Sequence, residues 1–322
     1  MPQKNNSAVE EFVFLAFADL HRVQNLIFVF FLLTYTTCIM ANIAIITVVK
    51  IEHSLHKPMY FFISVLSTLE IIFVSVTVPK LLAILIAANN KISFSGCIIQ
   101  MYFLNSLGVT ECYLLMVMVF DRHMAINNPL RYHIIMTPTV CVGLAIFPWI
   151  FGFSSCFVLA ILTAQLEFCG SNEIDHFFCD LAPLQSLACS DISISSMSTS
   201  IATAINVVLP FLIIMGFYIR ILNTVTKIRS NDGKQKAFST CTSHLIVASL
   251  FYGAAMIVYA KPKTNHYDKY LTFMYTAFTP MINPFIYTFR NREVKKVFMN
   301  LINRVMRPML NDSAYGIMCH ST

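Results

Sequence analysis

Seven stretches of this chain are apolar for long enough to cross roughly 30 Å of hydrocarbon: residues 26–49, 58–86, 98–120, 140–162, 196–222, 237–259 and 270–289. That pattern points to an all-α membrane protein, a bundle of seven transmembrane helices. Composition agrees, since 57% hydrophobic and only 12% charged residues in 322, with 9 glycines, make the chain too apolar for a soluble domain of its length. The first 25 residues are mostly polar and carry Glu10, Glu11 and Asp19, without the basic start and apolar core of a cleavable signal. The first span is therefore expected to direct insertion.

The basic residues orient the bundle. No Lys or Arg lies between Tyr132 and Arg220, although that interval holds two spans and a polar connection with Glu167, Glu173, Asp175, Asp180 and Asp191. Lys50 and Lys57 follow span 1, Arg122 and Arg131 follow span 3, five bases surround the link between spans 5 and 6, and Arg290, Arg292, Lys295 and Lys296 follow span 7. The positive-inside rule then places the N-terminus outside and the C-terminus in the cytoplasm. The net charge of +6 forms no patch interleaved with aromatics, so a nucleic-acid partner is not expected. Asn5-Asn6-Ser7 is a glycosylation acceptor on the outer side, whereas Asn311-Asp312-Ser313 matches equally well on the inner one.

Seven helices also suit pumps and carriers. A light-driven pump needs a Schiff-base lysine within a span, and span 7 has none. A secondary transporter typically shows an internal repeat, and no repeat is visible here. Metalloprotease, phosphate-loop and nucleophile-elbow patterns are missing as well, which argues against an enzyme.

The residues that decide between these readings stand at the inner end of span 3. Met118-Val119-Phe120-Asp121-Arg122-His123-Met124-Ala125-Ile126-Asn127-Asn128-Pro129-Leu130 sets an acid beside a base where the helix should reach water, as an anchor or as a switch. This run resembles the cytoplasmic end of the third helix in olfactory receptors, a branch of the rhodopsin-like G-protein-coupled receptors. Leu55-His56-Lys57-Pro58-Met59-Tyr60-Phe61-Phe62 is similar to the opening of that family's second helix. Lys236-Ala237-Phe238-Ser239-Thr240-Cys241-Thr242-Ser243-His244-Leu245 resembles its sixth, and Pro280-Met281-Ile282-Asn283-Pro284-Phe285-Ile286-Tyr287 its seventh. Phe120 and His123 stand where the family usually has tyrosine, and Asn127 where it has cysteine. His123 reads as a surface histidine near its ordinary titration range.

The resemblance implies roles for particular residues. Asp121, Arg122, Tyr218, His244, Asn283, Pro284 and Tyr287 would form the switch and G-protein coupling region, with Tyr218 joining Arg122 when the bundle opens. Pro210 should kink span 5 or free one of its carbonyls. Cys97 would pair with Cys179 and Cys169 with Cys189, making a lid of the outer loop, whereas sequence alone leaves three pairings of these four cysteines open. The cysteines inside spans, Cys38, Cys112, Cys141, Cys156 and Cys241, read as small hydrophobes. No CxxC pair accompanies His176, so zinc is not expected.

Two further constellations follow from helical spacing. Asn42, Glu70 and Glu111, with Ser67 and Asn283, put carboxyl and amide groups at membrane depth, a polar core that would hold Na⁺ or a proton, or that would serve an ion or solute carrier instead. Toward the outside, Met101, Leu104, Asn105, Gly108, Val109 and Cys112 of span 3, Ala202 and Asn206 of span 5, Tyr252, Met256 and Tyr259 of span 6, and Phe273 and Thr276 of span 7 give apolar walls with a few hydrogen-bonding groups. The expectation is an odorant receptor of the plasma membrane. It would bind a small, mostly apolar volatile ligand and activate a stimulatory olfactory-type G protein that raises cyclic AMP, without a cofactor. Residues 1–25 would form the extracellular N-terminus, 26–289 the receptor domain in contact with membrane lipid, and 290–322 the cytoplasmic tail, opening with a short amphipathic helix around Val294, Val297, Phe298, Leu301 and Ile302.

Overall fold

The structure is a computed structural model that describes residues 9–15, 23–87, 90–228, 230–260, 279–280, 282–286, 294–297 and 299. Long helices dominate: α1 (Gln24–Ile51), α2 (Pro58–Ala87), α3 (Phe94–Asn127), α5 (Pro138–Ala164), a continuous rod made of α7 (Ser193–Thr203), a π-helical turn (Ala204–Val208) and α8 (Leu209–Lys227), and α9 (Asn231–Ala260). Short helices α4 (Pro129–Ile135) and α6 (Leu181–Leu187) occupy the connections after α3 and α5. Five of these bodies are long and apolar enough to cross a membrane: α1, α2, α3, α5 and the α7–α8 rod. Span 6 falls within α9, whose apolar part is Cys241–Ala255. Most of span 7 lies outside the described residues, although 279–280 and 282–286 are helical. The same holds for the helix expected after span 7, of which residues 294–297 are helical and Val294 is buried.

Local chemistry sets the helix starts. Ser93 accepts the Gly96 N–H at 3.2 Å and Thr137 accepts that of Val140 at 3.4 Å, each satisfying a donor that a first helical turn leaves open. Pro58, Pro129 and Pro138 open α2, α4 and α5, where a missing N–H costs nothing. The π-helical turn has an equally local cause. Pro210 has no N–H to donate, and its ring crowds the carbonyl four residues back, that of Asn206. The rod accommodates this by widening over Ala204–Val208.

The core runs along α3, which packs against α2, α5, α8 and α9, while α1 lies mainly on α2. Leu107, Leu114, Leu115 and Val119 of α3 are fully enclosed. Large apolar side chains such as Leu26, Met40, Ile150 and Leu212 point outward, as lipid-facing helices require.

The end of the bundle expected from the sequence to face outward, called the outer end, departs from the all-α expectation. Three short strands, β1 (Glu11–Phe14), β2 (Lys91–Ser93) and β3 (Glu173–Ile174), form a sheet in the order β2-β1-β3. The N-terminal strand pairs antiparallel with β2, Phe12 opposite Ile92, and parallel with β3, Val13 opposite Glu173. Alternation explains why this polar terminus contains a strand at all: Phe12 and Phe14 point inward, 0% and 3% exposed, and Phe12 meets Phe168 edge-on at 5.4 Å. Disulfides join Cys97 to Cys179 and Cys169 to Cys189. Gln100 reinforces the first, its Oε1 accepting the Cys179 N–H at 3.0 Å while its Nε2 donates to Val76 O at 3.0 Å.

Candidate functional site

Beneath the outer sheet lies a cavity of about 130 Å³. Leu104, Asn105, Gly108, Val109 and Cys112 of α3 line it, together with Cys156 and Leu159 of α5, Thr199, Ala202, Thr203, Asn206 and Val207 of the rod, and Phe73, Phe251 and Ala255 from α2 and α9. The roof is Phe178, Asp180, Leu181 and Ala182, held over α3 by the neighbouring Cys97–Cys179 bond. Gly108 keeps the space open, because a Cβ built there meets nothing within 4 Å.

Seven residues expected from sequence line this cavity: Leu104, Asn105, Gly108, Val109, Cys112, Ala202 and Asn206. Met101 does not, since it packs into the outer aromatic cluster with Phe12 and Phe14, one helical turn too far out. Tyr252 does not either. Its hydroxyl donates to Cys112 O at 3.1 Å and its ring packs on Phe211, which makes it part of the floor between α3 and α9. The side chains of Met256 and Tyr259, and residues Phe273 and Thr276, lie outside the described residues. Sequence reasoning missed Asp180, Thr199 and Thr203. The clue to Asp180 was available, because a disulfide at Cys179 must draw the next residue over α3.

At the inner end, Asp121 and Arg122 form an ion pair, and Tyr132 of α4 donates its hydroxyl to the other carboxylate oxygen of Asp121 at 2.7 Å. Burial and the adjacent Asp121 push the Tyr132 phenol up from its ordinary value, so it stays a neutral donor. Tyr218 meets His244 Nδ1 at 2.5 Å, and both are buried. His123 corrects the surface reading. It is 8% exposed, accepts from Asn127 Nδ2 at 2.8 Å, and lies 5.0 Å from the Phe217 ring, because the inner turns of α8 cover this side of α3.

Between the two ends lies the polar core. Asn42, Glu70, Glu111 and Asn283 are all buried, and Asn283 Nδ2 donates to Glu70 Oε1 at 2.7 Å, joining span 7 to α2. Asn42 Nδ2 donates to Cys38 O at 3.1 Å, and Glu111 Oε1 is buried with no hydrogen-bond partner among the described residues. Pro284 is buried beside Asn283. Tyr287 and Asn5 lie outside the described residues. Among the described residues, no cluster of His, Cys, Asp and Glu has the makings of a metal site.

Comparison with known proteins bears on all three regions at once. The olfactory receptor family matches residues 31–305. Human olfactory receptor 6N1 is 42% identical over 308 residues, covering 95% of this chain and 99% of the relative. Human olfactory receptor 10A7 is 43% identical over 295 residues, 91% and 93% of the two chains, and mouse olfactory receptor 2B6 is 42% identical over 308 residues, 95% and 98%. Similarity of that depth along nearly the full length settles the assignment: the chain belongs to the olfactory receptor family, and is a receptor, not an enzyme.

Proposed function

We propose that this chain senses an odorant in the cavity under the outer sheet and passes the signal along α3 to a G protein at Arg122. The observation that carries this reading is that one helix, α3, lines the cavity with five residues and ends in the Asp121–Arg122 pair. A ligand that packs better when α3, the rod and α9 are rearranged shifts the balance between two packings by its difference in affinity for them. Loss of the Tyr218–His244 contact would then free Tyr218 to meet Arg122. Seven spans, with residues 1–25 outside, 26–289 in the bundle and 290–322 in the cytoplasm, complete this reading for a multi-pass protein of the plasma membrane. Asn5 would carry the glycan. The G protein is proposed to be the stimulatory olfactory type, raising cyclic AMP. In the polar core, the Asn283–Glu70 bond and the unpartnered Glu111 Oε1 support a site for Na⁺ or a proton that changes with the packing; nothing there favours a carrier.

The test is cyclic AMP accumulation in cells expressing the full chain with that G protein, screened against volatile mixtures. Gly108→Leu fills open space in the cavity and is expected to raise the half-maximal concentration of any active odorant by at least about tenfold, at matched surface expression. An odorant response untouched by Gly108→Leu would move the ligand elsewhere, and solute uptake without guanine nucleotide would restore the carrier.

A further inference from the structure

The hydrogen bonds of the polar groups described around the cavity can be traced one by one. Asn105 Nδ2 donates to Met101 O at 2.9 Å, which turns its carbonyl Oδ1 away from that bond. Thr203 Oγ1 spends its hydrogen on Thr199 O at 2.9 Å, and Thr199 Oγ1 spends its own on Ser195 O at 2.8 Å. Asn206 can be oriented from its neighbour. Ser155 Oγ donates to Gly152 O at 3.2 Å, so its hydrogen is used and it can only accept. The amide facing it at 3.4 Å must therefore be Asn206 Nδ2, and Asn206 Oδ1 is left buried without a hydrogen-bond partner among the described residues, on a residue only 3% exposed. Asp180 adds a carboxylate whose Oδ1 accepts the Leu181 N–H at 2.8 Å. Both threonine hydroxyls and one N–H of each asparagine are thus directed into the protein, and among the described residues the buried side-chain atom of this wall left without a partner is an acceptor, Asn206 Oδ1. What that atom lacks is a hydrogen-bond donor.

We infer that the cavity selects small odorants bearing a hydroxyl group, alcohols or phenols, whose O–H donates to Asn206 Oδ1, with the oxygens of Thr203 and Asn105 as further acceptors on the same wall. This deepens the proposed odorant site and rests on it. Size sets the scale of the ligand. A cavity of 150 Å³ accommodates benzene, so about 130 Å³ suits a ligand of roughly six to eight heavy atoms. An aldehyde, ketone, ester or ether of that size brings no donor and would leave Asn206 Oδ1 unsatisfied in apolar surroundings, where such a gap costs most. A carboxylate would also meet Asp180.

The experiment compares hexanol, hexanal, dipropyl ether and hexylamine, with phenol and anisole as an aromatic pair, on cells expressing the full chain with the stimulatory olfactory-type G protein. The hydroxyl-bearing member of each set is expected to act at a concentration at least about tenfold below its acceptor-only partner. Asn206→Leu, and separately Thr203→Val, which keeps the branched shape and hence the helix packing, are expected to shrink that ratio to about threefold or less by weakening the hydroxyl member. Equal or stronger action by hexanal, dipropyl ether or anisole overturns the inference. So does activity confined to hexylamine, and so does silence of a surface-expressed receptor toward both hexanol and phenol. Gly108→Leu separates the two readings. If it abolishes responses that do not distinguish hexanol from hexanal, the cavity stands and the hydroxyl preference falls; if responses survive it unchanged, the cavity reading fails and takes this inference with it.

Discussion

Replacing Gly152 by leucine is expected to clear the receptor from the cell surface, whereas the same change at Gly143 of the same helix should leave surface delivery within about twofold of the parent. The difference is geometric. A Cβ at Gly152 would stand 2.5 Å from Thr110 Oγ1, 2.7 Å from Ser106 O and 3.1 Å from Thr110 N, and two of those three atoms are backbone that cannot rotate away. Both partners are 0% exposed, and Thr110 Oγ1 is itself bonded to Ser106 O at 2.8 Å. Close approach of helices at small residues is how membrane bundles gain packing without a hydrophobic drive between them. Forcing a side chain into such a contact costs about 1–3 kcal/mol in ordinary cores and more where nothing yields, against a total stability on the order of 5–15 kcal/mol. Gly143, by contrast, is exposed with nothing within 4 Å, and an apolar side chain there faces lipid. Surface immunolabelling against total receptor reads the outcome. Parent-like delivery of Gly152→Leu would show that α3 and α5 tolerate separation.

Arg122→Gln is expected to lower the maximal odorant-dependent rise in cyclic AMP by at least about tenfold while the receptor still reaches the surface. Glutamine is chosen because of Asp121. That carboxylate is 1% exposed and holds two partners, Arg122 and the Tyr132 hydroxyl. Removing the partner side chain outright would leave this buried carboxylate with neither charge nor donor on that side, at a cost of about 3–5 kcal/mol. Alanine would therefore mix a folding defect with a signalling one. A glutamine amide still donates to Asp121 but carries no charge to offer a G protein or Tyr218. A full response from Arg122→Gln, at matched surface level, would reduce Arg122 to a topological anchor.

What the sequence made legible follows from what repeats in it. Lipid imposes long apolar runs, and those over 58–86, 98–120 and 140–162 fall within α2, α3 and α5. Helical spacing from Arg122 back to Leu104 located the inner wall of the cavity, because a straight helix keeps its faces in register. It failed at Met101, where the same face has already passed into the outer aromatic cluster. Features that depend on contacts between distant segments left weaker traces. Phe12 and Phe14 alternate over too few residues to announce a strand before its partners are known. The partnership of Tyr132 with Asp121 depends on how α4 folds back after Pro129. His123 looked solvent-exposed because nothing in its own turn predicts that Phe217, from another helix, covers it. The widening at Ala204–Val208 was half visible, since Pro210 signals a broken hydrogen bond without saying how the rod absorbs it.

The outer sheet also constrains the order of biosynthesis. Its central strand is made first and its last strand about 160 residues later, with Val13 opposite Glu173. At a synthesis rate of about 5–20 residues per second, the N-terminal strand waits on the order of ten to thirty seconds before its parallel partner is made. Through that interval Phe12 lacks the Phe168 ring that covers it in the finished sheet. Closure of the sheet thus records that the first four spans have been threaded and that the loop carrying Cys169 and Cys179 has arrived. A quality-control system that senses those two phenylalanines would be reading the completion of the receptor's outer half.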